Sequence, residues 1–170
     1  MCLTKLLRRD KIKFMSIEDK IQDKELKLNF ELVPDSCWYG NLRTYFKPQV
    51  WDIIRRKAYA KADGKCTICN APTKRLEAHE QWEYDEKNKV QRLKRVIAIC
   101  PDCHKVIHIG LTQLKGNEQA AIEHFIKVNN STYADYRKAL GKANADHARR
   151  NRVDEWALDL TWLKEFLEIE

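Results

Sequence analysis

The chain has 170 residues, of which 44% are hydrophobic and 34% charged, and a formal net charge of +7. This is the composition of one globular domain that can build a core without disulfides. No apolar run approaches the roughly 18 residues of a membrane span, and none is long enough for a secretory leader, so a cytoplasmic location is expected and a membrane role is excluded.

The first 30 residues are a charged N-terminal extension. Leu3, Leu6, Leu7 and Phe14 can make one short amphipathic helix or belong to a mobile tail, and Met15 can serve as a second start. Residues 31–63 hold an extended segment, Leu32-Val-Pro-Asp-Ser-Cys-Trp38, expected to tuck against a core, and then a basic helix. Pro48 opens that helix, Val50, Trp51, Ile54 and Ala58 share one face, and Gly64 stops it. Residues 75–84 and 89–99 read as two strands joined by a turn at Lys87-Asn88-Lys89, and Val96-Ile-Ala-Ile99 is a short buried run. Pro101 and Asp102 start a helix that carries His104 and His108 and closes at Gly110.

The region from 113 to 170 reads as mostly helical. Asn117 can cap a helix with Ala121, Ile122, Phe125 and Val128 inward. Thr132 can cap the next, with Asp135 at its third position and Tyr136, Leu140 and Ala143 as its apolar face. Trp156, Leu158 and Leu160 alternate as in a short strand, and Trp162, Leu163, Phe166 and Leu167 have helical spacing. The expected class is α+β: a small zinc-bound core of hairpin and helix over 64–112, surrounded by mostly helical N- and C-terminal elements. All of these segments are expected to form one globular unit.

The strongest chemical signal is Cys66-Thr-Ile-Cys69 answered by Cys100-Pro-Asp-Cys103. Each C-x-x-C loop presents two sulfurs to one ion, and two such loops around a hairpin complete a tetrahedral structural zinc site. Four thiolates and one dication sum to −2 and would leave the protein at about +5, still basic. Cys2 and Cys37 lack such spacing and read as ordinary thiols. A basic surface favours a polyanion, most simply nucleic acid.

His104 follows the second cysteine pair directly, and His108 lies one helical turn on, so their imidazoles share a face suited to one metal. His79 and Glu80 lie in or at the end of the first strand, and a histidine there faces the same helix. These four residues, His79, Glu80, His104 and His108, are the candidate catalytic group. Strand alternation puts Glu77 on the face of His79. His124 and His147 read as ordinary surface or packing histidines.

Cys66-x-x-Cys69, the His79 strand and Cys100-x-x-Cys103-His104-x-x-x-His108 together resemble the HNH endonuclease family in its zinc-ribbon-supported ββα-metal form. Val33-Pro-x-x-Cys-Trp38, His79-Glu-x-Trp-Glu-Tyr84, Gln91-Arg-Leu93, His108-Ile-Gly110 and Glu155-Trp-x-Leu-Asp159 are similar to one subgroup of that family, so the resemblance covers roughly residues 31–163. It implies metal-dependent hydrolysis of DNA phosphodiesters, cutting or nicking, with a second divalent cation such as Mg2+, Mn2+, Ni2+ or Zn2+. Two features differ from the family pattern. The strand reads Ala78-His79-Glu80, so either His79 is the general base and its preceding ligand is lost to Ala78, or His79 is a ligand and Glu80 stands in the base position. The second register keeps His79, His104 and His108 as three ligands and is preferred. The usual asparagine before the second cysteine pair is absent; Arg95 is near its place, and Gln91 is the candidate to support the loop in its stead. Arg55, Arg56, Lys61, Arg149, Arg150 and Arg152 are the expected DNA contacts. The rival expectation is a catalytically silent, zinc-stabilised module that binds DNA or a protein partner.

Overall fold

The computed structural model describes residues 25–168. The expected helix through Leu3–Phe14, and Cys2, lie outside them. The class is α+β. A 3-10 turn at Asp35–Cys37 precedes α1 (Leu42–Tyr45) and α2 (Pro48–Ala62). The hairpin of β1 (Glu77–Asp85) and β2 (Val90–Ile99) follows. Then come α3 (Pro101–Ile107), α4 (Ile109–Leu114), α5 (Glu118–Asn129), α6 (Tyr133–Arg150), β3 (Ala157–Asp159) and α7 (Thr161–Leu167). β1 and β2 pair antiparallel, and β3 adds in parallel to the other edge of β2.

β2 explains the layering. Its stretch Val96–Ile99 is buried on both faces, which is why it reads as a continuous apolar run rather than an alternation. One face carries Ile97 and Ile99, packed with Leu28, Phe30, Val106, Ile107, Phe125 and Tyr136. The other carries Val96 and Ala98, packed with Leu42, Trp51, Ile54, Leu163 and Phe166. The hairpin is therefore the middle layer between α3, α5 and α6 on one side and α1, α2 and α7 on the other. Antiparallel partners share a face. Glu77↔Ile99 and His79↔Ile97 lie toward α3, whereas Ala78↔Ala98 and Glu80↔Val96 lie toward α1 and α2.

Local signals act where the physics is local. Pro48 occupies the first turn of α2, which ends at Ala62 with Asp63 left-handed (φ 47°) and Gly64 at φ +70°. At α6, the Thr132 hydroxyl accepts from the Asp135 amide at 3.2 Å, and the Asp135 carboxylate accepts from the Thr132 amide at 2.8 Å, which completes a capping box. In the hairpin turn the Asp85 carboxylate accepts from the Asn88 amide, and Lys89 takes a positive φ.

Four expectations change. Gly110 does not stop the helix that begins at Pro101. That helix breaks earlier, at His108 (φ −93°, ψ 49°), and Gly110 sits inside α4, with the true stop at Gly116 (φ +70°). The break is held by the Thr112 hydroxyl, which donates to the Lys105 carbonyl at 2.7 Å. Asn117 stands at the N-cap of α5 but its side chain makes no cap bond. The 32–38 segment is not extended throughout, because Asp35–Cys37 form the 3-10 turn; Pro34 and Cys37 are buried and Trp38 is 66% exposed. Trp156, expected at the start of a strand, precedes β3 and packs edge-on against Tyr84 at 5.1 Å.

Phe125 is fully buried and stacks on Phe30 at 5.3 Å, with Tyr136 edge-on to both rings. Replacing it with alanine removes the centre of this cluster. Phe125→Ala is expected to destabilise the fold by about 3–5 kcal/mol, read as a lowered urea midpoint at fixed metal loading.

Candidate functional site

The four cysteines are brought together by two turns fastened to the end of β2. In the first, the Cys66 amide donates to Ala71 and the Asn70 amide to Cys66, while both the amide and the hydroxyl of Thr67 donate to the Ala98 carbonyl, at 3.0 and 2.8 Å. In the second, Cys100 is the N-cap of α3, and its sulfur accepts from the Cys103 amide at 3.4 Å. The sulfurs of Cys66, Cys69, Cys100 and Cys103 all lie within 4.8 Å of one another and can hold one metal ion. Their electrostatics point the same way. Cys66 is pulled down by the Cys103 thiol and by backbone amides that donate to it, whereas Cys103 is pushed up by its bond to Cys66 and by burial, and Cys100 is pushed up to about 11 by burial. Thiols packed this closely oppose one another's ionisation, and a bound dication would favour the thiolate form.

His79, His104 and His108 form a second group whose ligand atoms also lie within 4.8 Å. His79 comes from β1 and is 4% exposed. His104 is on α3, and His108 is the residue where α3 breaks. Their ring centroids are 5.4 Å (79–104), 5.1 Å (79–108) and 4.7 Å (104–108) apart. Burial pushes His104 below the usual imidazole range, and burial with two neighbouring histidines pushes His108 down to about 3. Neutral imidazoles are the form that binds metal. Two of the rings have a carboxylate behind them. His104 Nδ1 lies 2.6 Å from Glu77 Oε2, and His79 Nε2 lies 3.0 Å from Glu31 Oε2. A carboxylate only accepts, so each of those nitrogens carries a proton, and in the neutral ring the lone pairs are then on His104 Nε2 and His79 Nδ1.

His104 and His108 line a groove of about 420 Å³ together with Arg75, Glu77, Lys105 and Lys115, among others. Arg75 is tied to Glu77 at 2.9 Å and Lys105 to Asp102 at 3.0 Å. The groove thus combines two members of the histidine cluster with three cationic side chains.

The structure gathers some of the sequence-derived candidates and disperses others. The cysteines, His79, His104, His108 and Glu77 come together. Glu80 does not join them. As the strand neighbour of His79 it points to the opposite face, where both carboxylate oxygens accept from the Leu42 amide at 3.2 and 3.3 Å. It therefore serves as a cap for α1, and burial raises its pKa. Gln91 is buried at the other end of the hairpin, opposite Tyr84, and supports no loop at the histidines. Among the expected DNA contacts, Arg55 is paired with Asp52 at 2.6 Å. The Lys61 ammonium lies over the Phe166 ring at 4.6 Å. Arg149 binds Glu86 and Asp146, and Arg150 lies near Glu86 and over Tyr84. Arg56 and Arg152 are exposed.

Two residues at these centres escaped sequence reading. Glu31 is 48 positions from the histidine it touches, and nothing local marks it. His124, expected to be a bystander, has Nε2 3.2 Å from Cys103 Sγ. Its spacing from Ala121 and Phe125 on the inner face of α5 was a usable signal. Comparison of the chain with family models, curated proteins and solved structures finds no match in any of the three. No helix among the described residues is long and apolar enough to cross a membrane.

A ring N–H directed at a metal-bound thiolate stabilises its charge. His124→Ala is expected to speed metal loss from the cysteines by roughly 10-fold or more. Transfer of the ion to a chromogenic chelator measures this, and His124→Asn should restore part of the retention.

Proposed function

We propose that this protein is a metal-dependent endonuclease of the HNH type that cuts or nicks DNA. In this reading a structural zinc sits at Cys66, Cys69, Cys100 and Cys103, and a second divalent ion sits at His79, His104 and His108. The observation that carries the reading is the convergence of the three histidines, with ligand atoms within 4.8 Å of one another, two of which (His104 and His108) line a groove together with Arg75, Lys105 and Lys115. The strand–strand–helix order of the segment that holds them supports the reading, since it is the order a ββα-metal unit requires. Three imidazole nitrogens suit nickel or zinc better than magnesium, which prefers oxygen ligands.

A divalent ion bound there would stabilise negative charge on the scissile phosphate and on the departing oxygen. The protein's own contribution is positional. His104 and His108 are held one turn apart by the last turn of α3, in which the His108 amide donates to the His104 carbonyl, and His79 is held opposite them by the hairpin register. Lys105, Lys115 and Arg75 offer charge to flanking phosphates, and binding should weaken as salt rises. With Glu80 turned to the other face, Glu77, which lines the groove and holds His104, is the carboxylate left there to organise water.

The second reading, a catalytically silent module that grips DNA or a protein partner, is favoured by one observation: Glu80 caps α1 instead of joining the histidines. The two readings separate in one experiment. Supercoiled plasmid is incubated with purified protein and Mg2+, Mn2+, Ni2+ or Zn2+, alongside His104→Ala and His108→Ala. The nuclease reading expects nicked plasmid with at least one ion, and a loss of on the order of 100-fold or more in each variant while its fold and cysteine-bound metal persist. Equal cleavage by wild type and variants overturns it. No cleavage with any ion leaves the binding module.

A further inference from the structure

The hairpin and α3 supply the three histidines, but the residue that orients the most buried of them comes from elsewhere. Glu31 lies in the segment leading away from Leu28 and Phe30, both buried in the core beneath α3. Its backbone is fastened as well, since the Glu31 amide donates to the Ile107 carbonyl at 3.1 Å. The carboxylate is thus anchored to the end of the same helix that bears His104 and leads into His108. Its two oxygens have separate partners. Oε2 meets His79 Nε2 at 3.0 Å, and Oε1 accepts from Gln81 Nε2 at 3.0 Å. Gln81 is held in turn, because its Oε1 accepts from Arg95 Nε at 2.5 Å. Gln81 and Arg95 are cross-strand partners next to the β-bulge at Gln81/Trp82. The result is a continuous chain, Arg95–Gln81–Glu31–His79, that ends on a ring with only one nitrogen left free.

We propose that Glu31 is the positioning residue of the three-histidine site. It holds the Nε2 proton of His79 and presents Nδ1 to a divalent transition ion, while Gln81 and Arg95 fix the carboxylate. The inference rests on the reading of the histidines as a metal site and adds its determinant from outside the hairpin and helix. A histidine ligand in the wrong tautomer, or free to rotate, offers an N–H where the metal needs a lone pair. Partners of this kind are worth about 10–100-fold in metal affinity. Glu77 does the same for His104 from within the strand. The His79–Glu31 pair is the more consequential of the two, because His79 is the only ligand contributed by β1 and so the only one that ties the hairpin to the helix through the ion.

The test uses the full chain and two readouts. In protein without metal at the histidines, long-range 15N–1H imidazole spectra should assign His79 to the Nε2–H tautomer. Glu31→Ala should give a mixture of tautomers. It should also weaken binding of Co2+ or Zn2+ at the histidines by about 10–100-fold, while affinity at the cysteines is unchanged. Glu31→Gln, which keeps an acceptor but not the charge, should keep the tautomer and lose less affinity than the alanine variant. If Glu31→Ala does not fold, Gln81→Ala carries the same test with a smaller loss. Wild-type tautomer and wild-type affinity in the folded variant overturn the proposal, as does a wild-type protein that binds no ion at its histidines. The nuclease reading fails separately. If tautomer and affinity respond but no plasmid is ever nicked, the role of Glu31 stands and the nuclease does not. If nicking survives with unchanged affinity in Glu31→Ala, the nuclease stands and the role of Glu31 does not.

Discussion

Two of the cysteine sulfurs, on Cys69 and Cys100, lie 3.8 Å apart, with those of Cys66 and Cys103 in the same cluster. Two thiolates at that distance repel by about 4 kcal/mol at an effective dielectric of 20, and four make several such pairs. The arrangement is therefore stable either with most of the thiols protonated or with a cation at the centre. Much else hangs on this constraint. The first pair is bonded to the Ala98 carbonyl through Thr67, and the second pair is the N-terminus of α3. Closing the four sulfurs sets the end of β2 and the start of α3 against one another, and so sets where His104 and His108 stand relative to His79. A change at the cysteines should be felt at the histidines for this reason, without any bond between the two centres.

The second organising fact is the double burial of β2. Because Val96–Ile99 is covered on both faces, the paired residues of β1 are sorted strictly into two environments. Glu77, His79 and Gln81 go to the side of α3, where carboxylate, imidazole and amide can meet the helix histidines. Ala78 and Glu80 go to the other side, where burial raises the Glu80 pKa and its carboxylate accepts from the Leu42 amide at the start of α1. The adjacent pair His79-Glu80 is split by the pleat, so adjacency in sequence was misleading about which two groups would work together. The acidic neighbour of His79 in space is Glu31.

The two centres also share their supporting cast. α5 packs on α3 and supplies His124 to Cys103. The segment before the hairpin packs under the same helix and supplies Glu31 to His79. Neither belongs to the hairpin–helix unit that carries the ligands. The flanking elements are thus more than a scaffold; each donates one polar group to a centre it surrounds. The cationic residues follow a similar logic. Many of those on α2 and α6 are spent on internal pairs with Asp52, Glu86 and Asp146. Around the histidine groove, Arg75 lies just before β1, Lys105 on α3 and Lys115 just after α4.

The cysteine spacing, the capping box at Thr132 and Asp135, the apolar run that ends β2 and the inward faces of α2, α5 and α6 were all legible in the sequence. Each rests on an interaction between residues a few positions apart, or on burial that a single segment announces by its own pattern. The clustering of His79 with His104 and His108 was legible too, because the cysteine pairs bracket the hairpin that holds His79 and the second pair opens the helix that holds the other two. Tertiary structure alone decided the rest. The break at His108 comes from a bond between Thr112 and Lys105 that competes with regular helix. The orientation of Glu80 comes from which helix termini lie across the pleat. The approach of Glu31 and His124 to the two centres comes from core packing over separations of 48 and 21 residues. Long-range contacts of this kind are chosen by how whole elements fill the core, and no local run of residues encodes them. The metal-ligating residue types were therefore written into the chain, while their hydrogen-bonded supports exist only once the layers have closed.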